Sequence, residues 1–228
     1  MTEALEEAYR LHHSTRERAG FAILEKERGN LFSRLIGTGK KVLDLGCRDG
    51  TLTRYFTEGN DVTGADIDSE ALENTRRDLG IHTIRFDLNA GRWPIEAASF
   101  DIVVAAEVLE HLYFPERVLE RVVRLLRPGG MLAGSVPNAF SLKCRLRYIT
   151  GSKRGTPLQD QMHINQFEWH EFERLLYGHF SRVRLYPLGN SRWGLRDAIP
   201  ALFSFGIGFC AHLEDNNHSY GQKETITR

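Results

Sequence analysis

Five short apolar runs, KVLDLG (41–46), DVTGAD (61–66), HTIRFD (82–87), DIVVAA (101–106) and MLAGSV (131–136), alternate with amphipathic stretches. A sandwich would show strand after strand with only turns between, whereas strand-sized runs separated by helix-sized ones describe parallel strands joined by crossovers. The intervening helical stretches are predicted at 52–57, 69–79, 107–112 and 116–126. Right-handed crossovers then give a doubly wound sheet with helices on both faces. Two later runs, RVRLYPL (182–188) and LFSFGIGFCAHL (202–213), have no helix-sized segment between them after Gly189. They are predicted to form an antiparallel pair at one edge of a seven-stranded, mostly parallel sheet.

A chain of 228 residues, 41% hydrophobic, can bury one substantial core, so residues 1–214 are expected to form a single domain. The polar stretch 215–228 lacks the apolar residues that would dock it and reads as a tail. Residues 1–36 are expected to be helical. Ser14 and Glu17 have capping-box spacing; Phe21, Ile23, Leu24, Leu31, Phe32, Leu35 and Ile36 supply an apolar face; Gly37 and Gly39 end it.

Thirty basic and thirty acidic residues balance, so no global field draws the chain to nucleic acid or an anionic membrane. No signal peptide and no membrane span are read, and a cytoplasmic setting is expected. Cys47, Cys144 and Cys210 are too scattered for a zinc site or a disulfide framework.

The segment Val42-Leu43-Asp44-Leu45-Gly46-Cys47-Arg48-Asp49-Gly50 reads as a buried strand entering a glycine turn. Without a Cβ, Gly46 and Gly50 tolerate positive φ and let backbone approach a ligand, although a tight structural turn needs the same residues. About twenty residues on, Asp66 ends the second strand, where a carboxylate accepts from both ribose hydroxyls of a nucleotide. Ser69 is the expected cap of the next helix. Asp87 ends the third strand, either as an acceptor for an exocyclic adenine amine or as a turn residue.

VLDLGCRDG, GADIDSEAL, RFDLN, FDIVVAAEVLEHL and RLLRPGG stand together in this order over roughly residues 38–190. In this the chain resembles the class I S-adenosylmethionine-dependent methyltransferases, which have a Rossmann-like fold. The resemblance implies S-adenosyl-L-methionine as cofactor. Asp44, Gly46, Cys47 and Gly50 would lie along its methionine part, Asp66 and Ile67 at the ribose, Asp87 and Leu88 at the adenine, and Glu107 beside the methionine end. Arg48 and Asp49 depart from the small residues usual there, which puts the loop geometry in question. A dehydrogenase is disfavoured because the turn is not G-x-G-x-x-G.

Methyl transfer from a sulfonium is an in-line displacement needing an aligned acceptor, and a hydroxyl acceptor must also lose its proton. Glu107, Glu110 and His111 are spaced to share one helical face beside the cofactor. His111 is the candidate catalytic base. The alternative is a divalent cation held by these three with His163, and the bland reading is that Glu110 and His111 only orient their helix. No metal is assigned.

Residues 137–168 are read as an insertion covering the acceptor pocket. Its stretch from Pro137 to Gln159 carries Lys143, Arg145, Arg147, Lys153 and Arg154 and not one carboxylate. That patch would recognise an anionic group on the acceptor, or else be the solvated side of a helix whose Leu142, Leu146 and Ile149 pack inward. His163 is placed at the pocket rim, with Phe167 and Trp169 as walls or core; Trp193, Phe203, Phe205 and Phe209 read as edge-strand core.

The expected function is methylation of a hydroxyl, ahead of an amine, on a small metabolite or sugar-containing biosynthetic intermediate. Nucleic acid is not an expected partner. A metal-dependent RNA ribose 2′-O-methyltransferase and a noncatalytic binding module are the alternatives. Oligomeric state is not legible.

Overall fold

The computed structural model describes residues 6–7, 20–189 and 194–214. The expected Ser14–Glu17 capping box, Trp193 and the 215–228 tail lie outside the described residues. Seven strands form one sheet in the order β3-β2-β1-β4-β5-β7-β6. They are β1 (Lys41–Leu45), β2 (Asp61–Asp66), β3 (His82–Arg85), β4 (Phe100–Ala106), β5 (Leu126–Pro137), β6 (Arg182–Leu188) and β7 (Gly206–His212). Strands β1 to β5 pair in parallel, and β7 runs antiparallel to both β5 and β6. The predicted antiparallel pair is therefore present, with the last strand inserted inside and β6 left at the edge.

Helix α1 (Glu25–Ile36) precedes the sheet, and α2 (Ser69–Leu79) and α3 (Pro115–Leu125) cross over it. Then follow α4 (Leu142–Ile149), α5 (Trp169–Tyr177) and two single-turn helices, α6 (Leu195–Ala198) and α7 (Pro200–Phe203). The fold is Rossmann-like, as the strand and helix alternation predicts.

Period-two geometry splits each central strand between two cores. Leu43, Leu45, Val103 and Leu132 face one side with Val118, Leu119 and Val122 of α3 and Phe172 of α5. Val42, Val62, Ile102, Val104 and Met131 face the other, against Leu31, Phe32 and Ile36 of α1. Both faces of β1 and β4 are thus covered, and their runs are almost wholly apolar for that reason.

Several local expectations shift. Asp68, not Ser69, caps α2: its carboxylate accepts from the Glu70 and Ala71 amides, at 3.0 and 3.1 Å. No helix spans 107–112; a single 3-10 turn forms at Leu109–His111. Glu107 sits at φ 59, and its amide donates to Ser135 O at 2.8 Å, extending the ladder towards β5 so that a helix cannot begin there. Phe21 and Ile23 precede α1 and are exposed rather than on its apolar face. Leu142, Leu146 and Ile149 also point outward, Ile149 at 82% exposure, because the short α4 turns Cys144 inward instead. Phe205 is exposed, whereas Phe209 is fully buried. The three cysteines are buried and unbridged. No helix among the described residues is long and apolar enough to cross a membrane.

Candidate functional site

The chain leaves β1 towards β2 and β3 on one side and returns to β4 on the other, so a crevice opens beyond the carboxyl ends of β1 and β4. A cavity of about 620 Å³ lies there, within the range of small-molecule sites. Asp44, Gly46, Cys47, Asp66, Ile67, Asp87, Leu88, Glu107 and His111 line it, with His163. Gly50 does not. At φ +75 it turns towards α2, where an added Cβ would come within 2.6 Å of a Leu79 methyl, so its need for glycine is packing.

The turn after β1 is fixed to β2 by its own backbone, with the Gly46 and Cys47 amides both donating to Ala65 O at 2.7 and 3.1 Å. Gly46 takes φ +70, and a Cβ there would strike Val108 at 2.6 Å. Arg48 also takes positive φ, 50°, and its guanidinium donates to Phe21 O at 2.7 Å. Asp49 accepts from the Gly20 amide at 2.7 Å. The two residues that depart from the usual small ones thus tie the segment before α1 against the cavity, which Phe21, Ala22 and Ile23 line.

Asp66 accepts from the Arg48 amide at 2.9 Å through Oδ2 and from the Asp68 amide at 3.0 Å through Oδ1. These bonds hold the carboxylate at the cavity wall. Asp87 accepts from the Asn89 amide at 2.8 Å, so it is a turn residue and a lining residue at once. Asp44 is buried and accepts from the Thr53 hydroxyl at 2.7 Å. Burial raises its pKa to about 7, against the lowering effect of that bond.

Beyond β4 no helix sets Glu107 and Glu110 on one face; Glu107 lines the cavity and Glu110 does not. Glu107 Oε1 accepts from the Ser135 hydroxyl at 3.0 Å and lies 3.9 Å from the Arg28 guanidinium. Glu110 is 1% exposed, and neither carboxyl oxygen has a hydrogen-bond partner. Burial pushes its pKa far up, with Glu107 adding to the rise. His111 has Nδ1 2.9 Å from Met162 O; since a carbonyl can only accept, that nitrogen carries the proton and the lone pair is on Nε2. The His111 and His163 rings meet edge to face at 4.8 Å.

Arg28 is the functional candidate missed in the sequence. It lines the cavity at 4% exposure; its Nη1 donates to Ile23 O at 2.9 Å, while its Nε has no partner. The signal was its spacing, since 28, 31, 32 and 35 fall on the helix face predicted to be buried. Asn89 and Gln159 also line the wall without a distinctive pattern. Phe167 and Trp169 are core, Phe167 packing on Phe172 at 5.0 Å. None of the five cations between 143 and 154 borders the cavity.

These residues fit S-adenosyl-L-methionine by chemistry: an apolar shelf of Ile67, Phe86 and Leu88, carboxylates at 66 and 87, and the Arg28 guanidinium in the wall as a counter-charge for a carboxylate.

A family model described as "Methyltransferase domain" matches residues 43–134. An Idiomarina loihiensis ubiquinone biosynthesis O-methyltransferase is 34% identical over 56% of this chain and 51% of its own. An Enterobacter lignolyticus malonyl-[acyl-carrier protein] O-methyltransferase is 28% identical over 96% of this chain and 80% of its own. The chain spans about half the length of the ubiquinone-biosynthesis relatives it matches. Among solved structures, a Thermotoga maritima SAM-dependent methyltransferase, possible histamine N-methyltransferase, superposes with TM-score 0.67 at 13% identity, over 94% of this chain and 100% of that one.

Proposed function

Since residues 43–134 belong to the methyltransferase-domain family, we propose that the chain transfers a methyl group from S-adenosyl-L-methionine to a hydroxyl, ahead of an amine, of a small metabolite or sugar-containing biosynthetic intermediate. The observation that carries this reading is the cavity, which eight of the nine cofactor residues expected from sequence border together. The RNA ribose and noncatalytic readings gain no support from the relatives.

The bound cofactor supplies a methyl group already activated on a sulfonium. Asp66, held by two amides, accepts from the ribose hydroxyls; Asp87 and Leu88 frame the adenine, with Ile67 beneath it. Arg28, in the cavity wall, is the counter-charge for the methionine carboxylate. Glu107 faces the methionine end, with Asp44, Gly46 and Cys47 along it. His111, with Nδ1–H engaged by Met162 O, accepts the acceptor hydroxyl's proton at Nε2.

The domain extends over 1–214 with 137–168 as the acceptor-side insertion and 215–228 as a tail, in a cytoplasmic setting. The partner is a small molecule and not a nucleic acid. Its anionic group, where present, meets Arg145 and Arg147 outside the cavity.

Methyl-labelled cofactor incubated with the protein and a cell extract tests the reading. Label in small molecules is expected; label confined to RNA or protein overturns it.

A further inference from the structure

Glu110 is the anomaly of the structure: a carboxyl group 1% exposed whose two oxygens accept no hydrogen bond. Burying such a group without a partner is costly, and native folds keep one where it has a charge or a metal to meet. Ligand atoms of Glu110, His111 and His163 all lie within 4.8 Å of one another, and Glu110 Oε1 stands 4.0 Å from His111 Nε2.

His111 is already set for a ligand's task. Its Nδ1–H donation to Met162 O fixes ring and tautomer and leaves the lone pair on Nε2, 4.0 Å from Glu110 Oε1, the arrangement found behind metal-bound histidines. The surrounding field is negative: Glu107 and Asp160 both act on Glu110, with Arg28 opposing them. Asp160 Oδ2 is 3.9 Å from His163 Nε2, an outer carboxylate beside the second imidazole.

We propose that Glu110, His111 and His163 bind a divalent first-row transition cation at the acceptor end of the cavity. Two imidazoles and one carboxylate suit zinc, cobalt or manganese better than magnesium or calcium. A tetrahedral ion about 2.1 Å from its ligands spaces them roughly 3.4 Å apart, so the three side chains close in by about an ångström on binding. Three protein ligands leave a fourth position, and His111 and His163 both border the cavity, so that position takes water or an oxygen of the acceptor. Glu107 belongs to the cofactor side and is not a ligand. With the ion bound, His111 is a ligand rather than the base. The cation site does not depend on the methyl donor.

Co²⁺ is the probe, added to chelator-stripped full-length protein without cofactor and followed by its visible absorption and by calorimetry. One saturable site per chain is expected, weakened at least tenfold by Glu110→Gln and by His163→Ala, and less than these by Glu107→Gln, which removes a nearby charge but no ligand. S-adenosylhomocysteine binding by Glu110→Gln and His163→Ala, and the thermal unfolding transition of Glu107→Gln, report that the variants are folded. Absence of a saturable site, or a site indifferent to Glu110→Gln and His163→Ala in folded protein, overturns the cation site. In that case His111 remains the base and the methyltransferase reading stands. Loss of S-adenosylhomocysteine binding by the wild-type protein overturns the cofactor reading instead.

Discussion

The cofactor side of the cavity and the acceptor side are built by opposite means. On the first, the turn after β1 and the carboxylate after β2 are held by backbone amides: Gly46 and Cys47 on Ala65, Arg48 and Asp68 on Asp66. On the second, the 137–168 segment folds into one eight-residue helix and a 3-10 turn, with Leu146, Ile149, Leu158 and Ile164 exposed. Backbone-fixed geometry suits a ligand that never changes. Side chains on a short, weakly buried segment suit a ligand that differs from one enzyme to the next.

If that division is right, His111→Ala should separate the two sides most sharply. Losing His111, as base or as cation ligand, lowers kcat about 10²–10⁴-fold, while S-adenosylhomocysteine affinity stays within about threefold. A parallel loss of both would mean that His111 holds the cofactor side together. Asp66→Ala should do the converse, weakening cofactor binding roughly 100-fold through two lost charge-assisted hydrogen bonds. Calorimetry with S-adenosylhomocysteine reads it, and an unchanged affinity would remove Asp66 from the site.

The third prediction concerns pH. Asp44, raised to about 7 in the fold, holds more protons folded than unfolded between its ordinary value and 7. Stability of the unliganded protein therefore falls as pH rises through that window, by roughly 2–3 kcal/mol between pH 5 and 8. Chemical denaturation across this range should show the slope in wild type and not in Asp44→Asn. The smallest effect is on the acceptor side: Arg145→Ala with Arg147→Ala should raise the acceptor's KM several-fold, by about 1 kcal/mol, and leave cofactor affinity unchanged. An unchanged KM would leave these arginines as solvated surface.

Strands and crossover helices were legible because their burial is periodic. Val42 and Leu43 face opposite cores, and α3 buries Val118, Leu119, Val122 and Leu125 along one stripe. The glycine turn and Asp66 were legible because backbone geometry demands those residues at those places. EVLEHL was misread as a helix because its spacing fits one, and only the Glu107 amide's bond to Ser135, 28 residues on, prevents it. The α4 ladder misled for the same reason: a helical apolar stripe says that a face exists, not which way it points.

The sequence by itself determined the sheet, its crossovers and the carboxylates Asp66 and Asp87 that the strand ends bring to the cavity, since these follow from local period, turn chemistry and strand ends. Tertiary structure alone decided that Arg28 enters the cavity, that Arg48 and Asp49 tie the 20–23 segment across it, and that Glu110 and His111 meet His163. The contacts of Arg48 with Phe21, Asp49 with Gly20 and Glu110 with His163 join residues 27, 29 and 53 positions apart, and no local pattern encodes which distant side chain a buried charge will face.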